Sequence, residues 1–289
     1  MMHIRWKCPN CASPLTPMLT QKPYVLRCAH GHSFDVARQG YVNLLLPQKR
    51  GAALPGDDAG MVRARTAFLD GGYYSAFSDG VNACVLEALA QSDCANPTVT
   101  DAGCGEGYYT ARLYTHLQTY ASDSACVGFD LSRDAVAHAA KRGRAMGAQG
   151  LSFAVASLFD MPIEDGSSDG IINLFAPVAD AEFARILKPD GFLLIAVPAE
   201  EHLWGMKQIL YRTPYPNEVR RDTLAHFTLT HVQRITDTIT VTDPEHIRAL
   251  FAMTPYFWKT AREDAERLYA CEQLCTTVSF DLLLYRKSR

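Results

Sequence analysis

From residue 61 onward, short apolar runs alternate with longer stretches in which apolar residues recur at helical spacing. Residues 61 to about 89 carry that spacing, broken at Gly71-Gly72, and 97–101 is a short strand. A helix-compatible stretch follows through Leu117. Residues 126–130 then read as a strand ending in a carboxylate, with a helix from Ser132 to about Met146. Leu151–Val155, 170–174 and 192–197 read as further strands with helical stretches between them, and 276–285 as a final strand closing the sheet. Strands alternating with helices predict an α/β fold, a parallel sheet with helices on both faces.

The first sixty residues break the pattern. Pro14, Pro17 and Pro23 mark a loop, Tyr24-Val25-Leu26-Arg27 a short strand, and 34–46 is aromatic and apolar with polar interruptions. Residues 48–60 (QKRGAALPGDDAG) are a Gly/Pro-containing connector. The expected division is a module at 1–48, a linker at 49–60 and a larger domain at 61–289. No internal repeat or low-complexity tract is visible.

A chain of 289 residues that is 48% hydrophobic can bury a sizeable core, which excludes disorder. The longest clean apolar stretch, 192–197, is far short of the ~18 residues of a membrane span. The N-terminus shows no apolar signal segment, so a cytoplasmic location with no membrane partner is expected. The net charge of −3 argues against a nucleic-acid partner only as an average. Residues 1–65 hold nine basic side chains and three acidic ones, net +6, leaving −9 for the rest. That asymmetry suggests an N-terminal part facing a polyanion.

The nine cysteines divide by pattern. Cys8-Pro-Asn-Cys11 is followed, after sixteen residues, by Cys28-Ala-His-Gly-His32. A C-x2-C turn places two thiolates on one side of a tight knuckle, and a second Cys/His pair completes a tetrahedron. The spacing selects Cys8, Cys11, Cys28 and His32 as ligands of one structural Zn2+, with His30 the competing fourth ligand at short range. So small a segment depends on the metal for folding energy. Cys271 and Cys275 lack a second half-site, and with the remaining cysteines they read as reduced thiols.

The turn at 101–107 (DAGCGEG) is the chemical centre of the larger domain. Glycines after a first strand admit a ligand where a Cβ would collide. Asp130, at the tip of the next strand, can accept both hydroxyls of a ribose. Glu106 would repel a pyrophosphate in this loop and suits a ligand with a positively charged tail, which points to S-adenosylmethionine.

Asp101-Ala-Gly-Cys-Gly-Glu-Gly-Tyr-Tyr109, together with the zinc knuckle and Gly40-Tyr41-Val42-Asn43-Leu44-Leu45, resembles the large-subunit ribosomal RNA guanine-N1 methyltransferases. The matching segments run almost end to end: Arg65-x2-Phe68-Leu69-Asp70-x2-Tyr73-Tyr74, Leu187-Lys188-Pro189-x-Gly191, Pro198-x3-His202-Leu203 and Met253-Thr254-Pro255-Tyr256-x-Trp258. The resemblance implies a Rossmann-like class I S-adenosylmethionine-dependent methyltransferase fold with a small N-terminal zinc-binding module. It implies methylation of N1 of a guanine in hairpin 35 of 23S ribosomal RNA by a homodimer. Its zinc ligands fall on Cys8, Cys11, Cys28 and His32, and its cofactor contacts on Tyr74, Gly105-Glu106-Gly107 and His202. With Asp101, Gly103 and Asp130 these make up the expected cofactor site. The acid that commonly contacts the adenine amine is replaced by Ser157, so adenine contacts are expected from backbone groups near Ser157 and Leu158.

For catalysis, Asn173 and Phe175 end the fourth strand, where Asn173 can hydrogen-bond the base edge and Phe175 either stacks on the base or belongs to the core. His202 is a candidate for the cofactor carboxylate, for proton handling, or for plain packing. For RNA, the module and connector supply Trp6, Tyr24, Arg27, Arg38, Lys49 and Arg50. Two rival readings share these signals. One is a small-molecule methyltransferase, which leaves the basic module unexplained. The other is a zinc-bearing RNA-binding protein with an inactive methyltransferase fold, which leaves the glycine turn unused.

Overall fold

The computed structural model describes residues 4–18, 24–46, 59–92, 94–221 and 223–288. Lys49, Arg50 and most of the expected linker lie outside the described residues. Two sheets are present. The small one is an antiparallel ribbon of β1 (Leu15–Met18), β2 (Val25–Cys28) and β3 (Ser33–Asp35). The large one contains β4 (Val42–Asn43), β5 (Thr98–Ala102), β6 (Ala125–Asp130), β7 (Leu151–Val155), β8 (Ser168–Leu174), β9 (Leu187–Pro198), β10 (Phe227–Val241) and β11 (Leu274–Lys287). Its order is β10-β11-β9-β8-β5-β6-β7-β4.

The strands from β4 to β9 run parallel, whereas β11 pairs antiparallel with β9 and β10 antiparallel with β11. The sheet is therefore mixed, which corrects the expectation of a parallel one. The final strand is also interior to the sheet, because β10 lies outside it. Residues 227–241 escape notice as a strand because most of their side chains are exposed and threonine-rich, as an edge strand allows. Strand order reverses at β5, which lies between β8 and β6. Ligands in such sheets bind outside the strand C-termini at this reversal.

Helices α1 (Ala59–Asp70), α2 (Ser75–Ala90), α3 (Tyr108–Tyr120), α4 (Arg133–Ala145), α5 (Asp180–Ile186), α6 (Trp204–Leu210), α7 (Pro244–Ala252) and α8 (Arg262–Tyr269) cover the large sheet. The split between α1 and α2 falls where Gly71-Gly72 interrupts the apolar spacing, and Gly72 has φ +80°. Ser132 caps α4 by accepting from Ala135 N at 3.2 Å.

The strands sort their side chains to two cores by alternation. Cys126 faces the core of α1–α4, with Phe68, Phe77, Leu113 and Val136. Val127 and Phe129 face the other core, which contains Ile4, Trp6, Leu15 and Leu26 of the ribbon segment. Trp6 is 1% exposed and packs edge-on against Phe129 at 6.2 Å between ring centroids. Backbone bonds from Lys7 N to Pro162 O (2.8 Å), Glu164 N to Arg5 O (2.9 Å) and Leu44 N to Val155 O (3.0 Å) fasten the segment down. The ribbon is too small for a core of its own and borrows one from the sheet.

Truncating Trp6 removes the largest side chain at that contact. Trp6→Ala is expected to cost about 3–5 kcal/mol. Urea denaturation followed by far-UV circular dichroism should show one earlier transition; an unchanged midpoint would show that the ribbon does not stabilise the sheet.

Candidate functional site

Two tight turns build the metal site. In the first, Ala12 N donates to Cys8 O at 2.8 Å and Cys8 N to Ser13 O at 2.8 Å, with Ala12 at φ +59°. In the second, Gly31 N donates to Cys28 O at 3.1 Å and Cys28 N to His32 O at 3.0 Å, with Gly31 at φ +85°. The ligand atoms of Cys8, Cys11, Cys28 and His32 all lie within 4.8 Å of one another. A tetrahedral zinc at ordinary bond lengths separates two sulfurs by about 3.8 Å and a sulfur from a nitrogen by about 3.5 Å. Here Cys11 Sγ and Cys28 Sγ are 3.8 Å apart, and His32 Nδ1 is 3.5 Å from Cys8 Sγ and 3.4 Å from Cys28 Sγ. Hydrogen bonds from the Ser13 backbone and side chain lower the Cys11 thiol to about 5, favouring the thiolate that zinc requires. His30 is turned away, with its Nδ1 3.0 Å from Ser13 Oγ. Four protein ligands leave no position open to water, so the zinc these residues hold is structural.

The glycine turn stands at the sheet reversal. Gly103 (φ +93°) needs its missing side chain: a Cβ there would lie 2.3 Å from Ala176 Cβ. At Gly105 (φ +52°) a Cβ would enter open space, with Arg65 Nη1 the nearest atom at 3.6 Å. Gly103 is thus required by packing against Ala176, and it is at Gly105 that the turn offers bare backbone to a ligand, as an S-adenosylmethionine site requires. Gly105 N donates to Asp130 Oδ2 at 3.0 Å and Ser132 N to Asp130 Oδ1 at 2.8 Å, which fixes that carboxylate at the tip of β6.

Asp101 and Glu106 are placed differently from expectation. Asp101 is buried under the turn and accepts from Thr110 Oγ1 at 2.5 Å, so its carboxyl supports the start of α3. Burial raises it to about 7, opposed by the Thr110 bond and reinforced by Asp130. Glu106 is also buried; it accepts from Tyr108 N at 3.1 Å and pairs with Arg142 at 2.6 Å. Its charge is therefore balanced inside the protein, which corrects the reading of Glu106 as the partner of a positively charged ligand tail. Arg142, which does the balancing, carries no signal in the sequence because it is one of several arginines on α4. A cleft of about 690 Å3 bordered by Tyr108, Arg112, Lys141 and Arg142 lies on this helix side.

Opposite the turn, Tyr74 and His202 meet in an aromatic cluster. Tyr74 is buried against Phe68, Phe77 and Phe280, and burial raises its hydroxyl well above the ordinary range. The His202 ring lies 4.2 Å from that of Phe280 and 6.5 Å from that of Tyr74. Burial, aided by the Lys207 cation, lowers His202 to about 3. Its Nδ1 accepts from Ser279 N at 3.3 Å, so the neutral ring carries its proton on Nε2 and presents a donor. This favours an anion-binding role over proton removal.

Asn173 and Phe175 part company. Asn173 is buried, and its Nδ2 donates to Ala102 O at 3.0 Å and Pro177 O at 3.2 Å. Both of its N–H donors are committed to the backbone, so the amide ties the loop after β8 to the end of β5, and only its oxygen could meet a base edge. Phe175 is 50% exposed at φ +63°, resting 4.9 Å from Phe280 and 5.5 Å from Phe77. A bulky residue held in the left-handed region stores strain that neighbours must stabilise. Such exposure excludes a core role. Ser157 and Leu158 follow β7 in a turn where Asp160 N donates to Ser157 O at 3.2 Å and Phe159 N to Ser157 Oγ at 3.2 Å.

Among the basic residues, Arg27 is exposed on β2 and Arg38 lies beside α4, where Arg144 donates to its carbonyl. Trp6, being buried, drops out of the RNA-facing set. The sequence carries no signal for Phe77 or Phe280, which position the site only through packing.

Together the fold, the glycine turn and the Cys3His cluster define a class I S-adenosylmethionine-dependent methyltransferase bearing a structural zinc ribbon. A family model described as "RlmA, N-terminal", a zinc ribbon, matches residues 6–52, and one described as "Methyltransferase domain" matches residues 99–191. The 23S rRNA (guanine(748)-N(1))-methyltransferase of Streptomyces fradiae is 33% identical over 272 residues, covering 91% of this chain and 89% of its own. A Micromonospora griseorubida protein named for guanine-N1 methylation of 23S rRNA is 33% identical over 305 residues, covering 98% and 97%. A Bacillus subtilis protein named likewise is 29% identical over 296 residues, also covering 98% and 97%. The chain belongs to the 23S rRNA (guanine-N1)-methyltransferase family.

The raised Asp101 carboxyl opposes folding increasingly as pH rises from its ordinary value near 4 towards about 7. Below that window its contribution is fully present; through the window it is lost. Asp101→Asn should flatten this fall in urea denaturation at a series of pH values. Parallel wild-type and variant profiles would show that the carboxyl titrates normally.

Proposed function

We propose that this protein transfers a methyl group from S-adenosylmethionine to N1 of a guanine in hairpin 35 of 23S ribosomal RNA, acting in the cytoplasm as a homodimer. The observation that carries the reading is Phe175, an aromatic ring held half-exposed beside the glycine turn where an extrahelical base would meet the cofactor. S-adenosylmethionine supplies an electrophilic methyl group on a sulfonium centre.

The chain's own residues bind and orient. In this reading the Gly103–Gly107 backbone approaches the cofactor, Asp130 accepts its ribose hydroxyls, and backbone near Ser157 and Leu158 meets its adenine. Tyr74 and the Nε2–H of His202 serve its methionine end, the latter as donor to a carboxylate. Phe175 stacks on the guanine, which must leave its helix before N1 is accessible. Alignment of N1 with the methyl carbon is the main source of rate, because in-line displacement depends on geometry. The N1 proton leaves to water during transfer, and His202, being a donor, does not accept it. Residues 1–48 contribute Arg27 and Arg38 to RNA phosphates, and the connector 49–60, which leads to the methyltransferase domain at 61–289, contributes Lys49 and Arg50.

Mass mapping of ribosomal RNA from a deletion strain should show loss of a single N1-methylguanine in hairpin 35, restored by the wild-type gene. An intact methylation map would reject the reading. Phe175→Ala should lower kcat/KM for RNA by about tenfold to a hundredfold, the usual effect of one lost base stack, with Phe175→Tyr near wild type. Removing the charges of Lys49 and Arg50 should weaken RNA binding and flatten its dependence on salt. Unchanged affinity and slope would take those two residues out of the interface.

A further inference from the structure

The segment Met253-Thr254-Pro255-Tyr256-Phe257-Trp258 takes no part in the cofactor site, yet it displays the most exposed large apolar residue described. Trp258 is 76% exposed, and Phe257 beside it packs edge-on at 5.1 Å. A second exposed aromatic, Tyr215 at 53%, comes from the segment 211–217. Lone exposed aromatics need no explanation, but the segments that carry these two are joined by a buried polar network through Tyr215 and Tyr256.

Lys207 of α6 is fully buried and makes no ion pair among the described residues. Its Nζ donates to Tyr215 O at 2.8 Å and Asn217 Oδ1 at 2.7 Å. It also lies 4.7 Å from the Tyr215 ring centroid and 5.3 Å from that of Tyr256. Tyr256 donates its hydroxyl to the same Asn217 Oδ1 at 2.7 Å. Asn217 Nδ2 then donates to Ala199 O at 2.9 Å and His202 O at 3.1 Å. Burying an ammonium is costly unless it is well coordinated. Here it clamps two aromatic segments together and ties both to the turn carrying His202.

The surroundings are basic. Residues 211–221 (YRTPYPNEVRR) contain three arginines and one glutamate, of which Arg220 pairs with Glu218 and Arg221 with Asp281, and Lys259 follows Trp258. Arg212 and Lys259 make no ion pair among the described residues; on α8, Arg262 pairs with Glu266 and Arg267 with Asp264, and Glu263 makes none among the described residues. Exposed aromatic rings interleaved with cations are the chemistry of a surface that stacks unpaired bases and tracks a phosphate backbone. A protein partner would favour an apolar patch with fewer unpaired cations.

We propose that Tyr215 and Trp258 form a stacking platform for unpaired bases of the RNA substrate flanking the target guanine, held in register with the cofactor site by Lys207 and Asn217. This deepens the RNA-substrate reading and rests on it.

The test uses the full chain, S-adenosylmethionine and a hairpin 35 transcript. Tyr215→Ala/Trp258→Ala should raise KM for the transcript about tenfold or more while leaving KM for S-adenosylmethionine unchanged. Tyr215→Phe/Trp258→Phe, which keeps both rings, should stay within about threefold of wild type. The transcript should quench tryptophan emission in the wild type, and Trp258→Phe should lose that quenching. An unchanged transcript KM in the alanine pair would overturn the proposal. So would a phenylalanine pair as impaired as the alanine pair, or an alanine pair whose only change is a lower sedimentation coefficient, which marks a contact between copies of this chain. A wild type that binds the transcript with quenching but does not methylate it would defeat the reading of the reaction while supporting the platform.

Discussion

The site depends on the close approach of two loops that leave adjacent strands at the sheet reversal. Gly103 at the end of β5 and Ala176 after β8 stand so near that one added methyl group would collide at 2.3 Å. Asn173 spans the same gap, joining Ala102 O to Pro177 O. Backbone contact of this kind couples the cofactor turn to the segment bearing Phe175. The left-handed conformation of Phe175 is stabilised by that coupling and by the rings of Phe77 and Phe280. The glycine turn and the exposed ring of Phe175 are therefore one structural arrangement.

Charge within the larger domain is organised locally. Glu106 meets Arg142, Asp281 meets Arg234 and Arg221, and Asp169 meets Lys188. These three carboxylates are buried and matched by four cations, so the −9 formal charge beyond residue 65 resides on the other side chains. Arg212 and Lys259, beside Tyr215 and Trp258, make no ion pair among the described residues, and neither does Arg27 on β2, whereas Arg5 and Lys7 pair with Glu164 and Asp165. A net charge averages over pairs that have already neutralised each other, whereas a binding surface is defined by what is left over.

Much of this arrangement was legible in the residue pattern. The strands at 125–130 and 151–155 announce themselves because they are buried on both faces and read as mostly apolar runs, and 98–102 because it is a short β-branched stretch running into the glycine turn. The Cys/His spacing and the glycine turn are short-range constraints, and short-range constraints survive in sequence. Three features were hidden, each depending on distant partners. Edge strand β10 is half solvated, and its pairing with β11 joins residues up to sixty positions apart. Trp6 is an ordinary surface candidate until Phe129, more than a hundred residues later, covers it. Glu106 and Asn173 carry the right chemistry in the right place, but the groups that satisfy them, Arg142 and the Ala102 and Pro177 carbonyls, come from elsewhere in the fold.

The shared core of ribbon and sheet has a consequence for the order in which the chain is made. The ribbon leaves the ribosome first, yet its apolar partners Phe129 and Ile163 emerge more than a hundred residues behind it. Its zinc ligands are all within 25 residues of one another and can be gathered at once, whereas docking must wait for β6 and β7. Metal loading can thus precede burial, in which case a nascent ribbon held by zinc alone would carry Trp6 and Leu26 in the open until the sheet arrives to receive them.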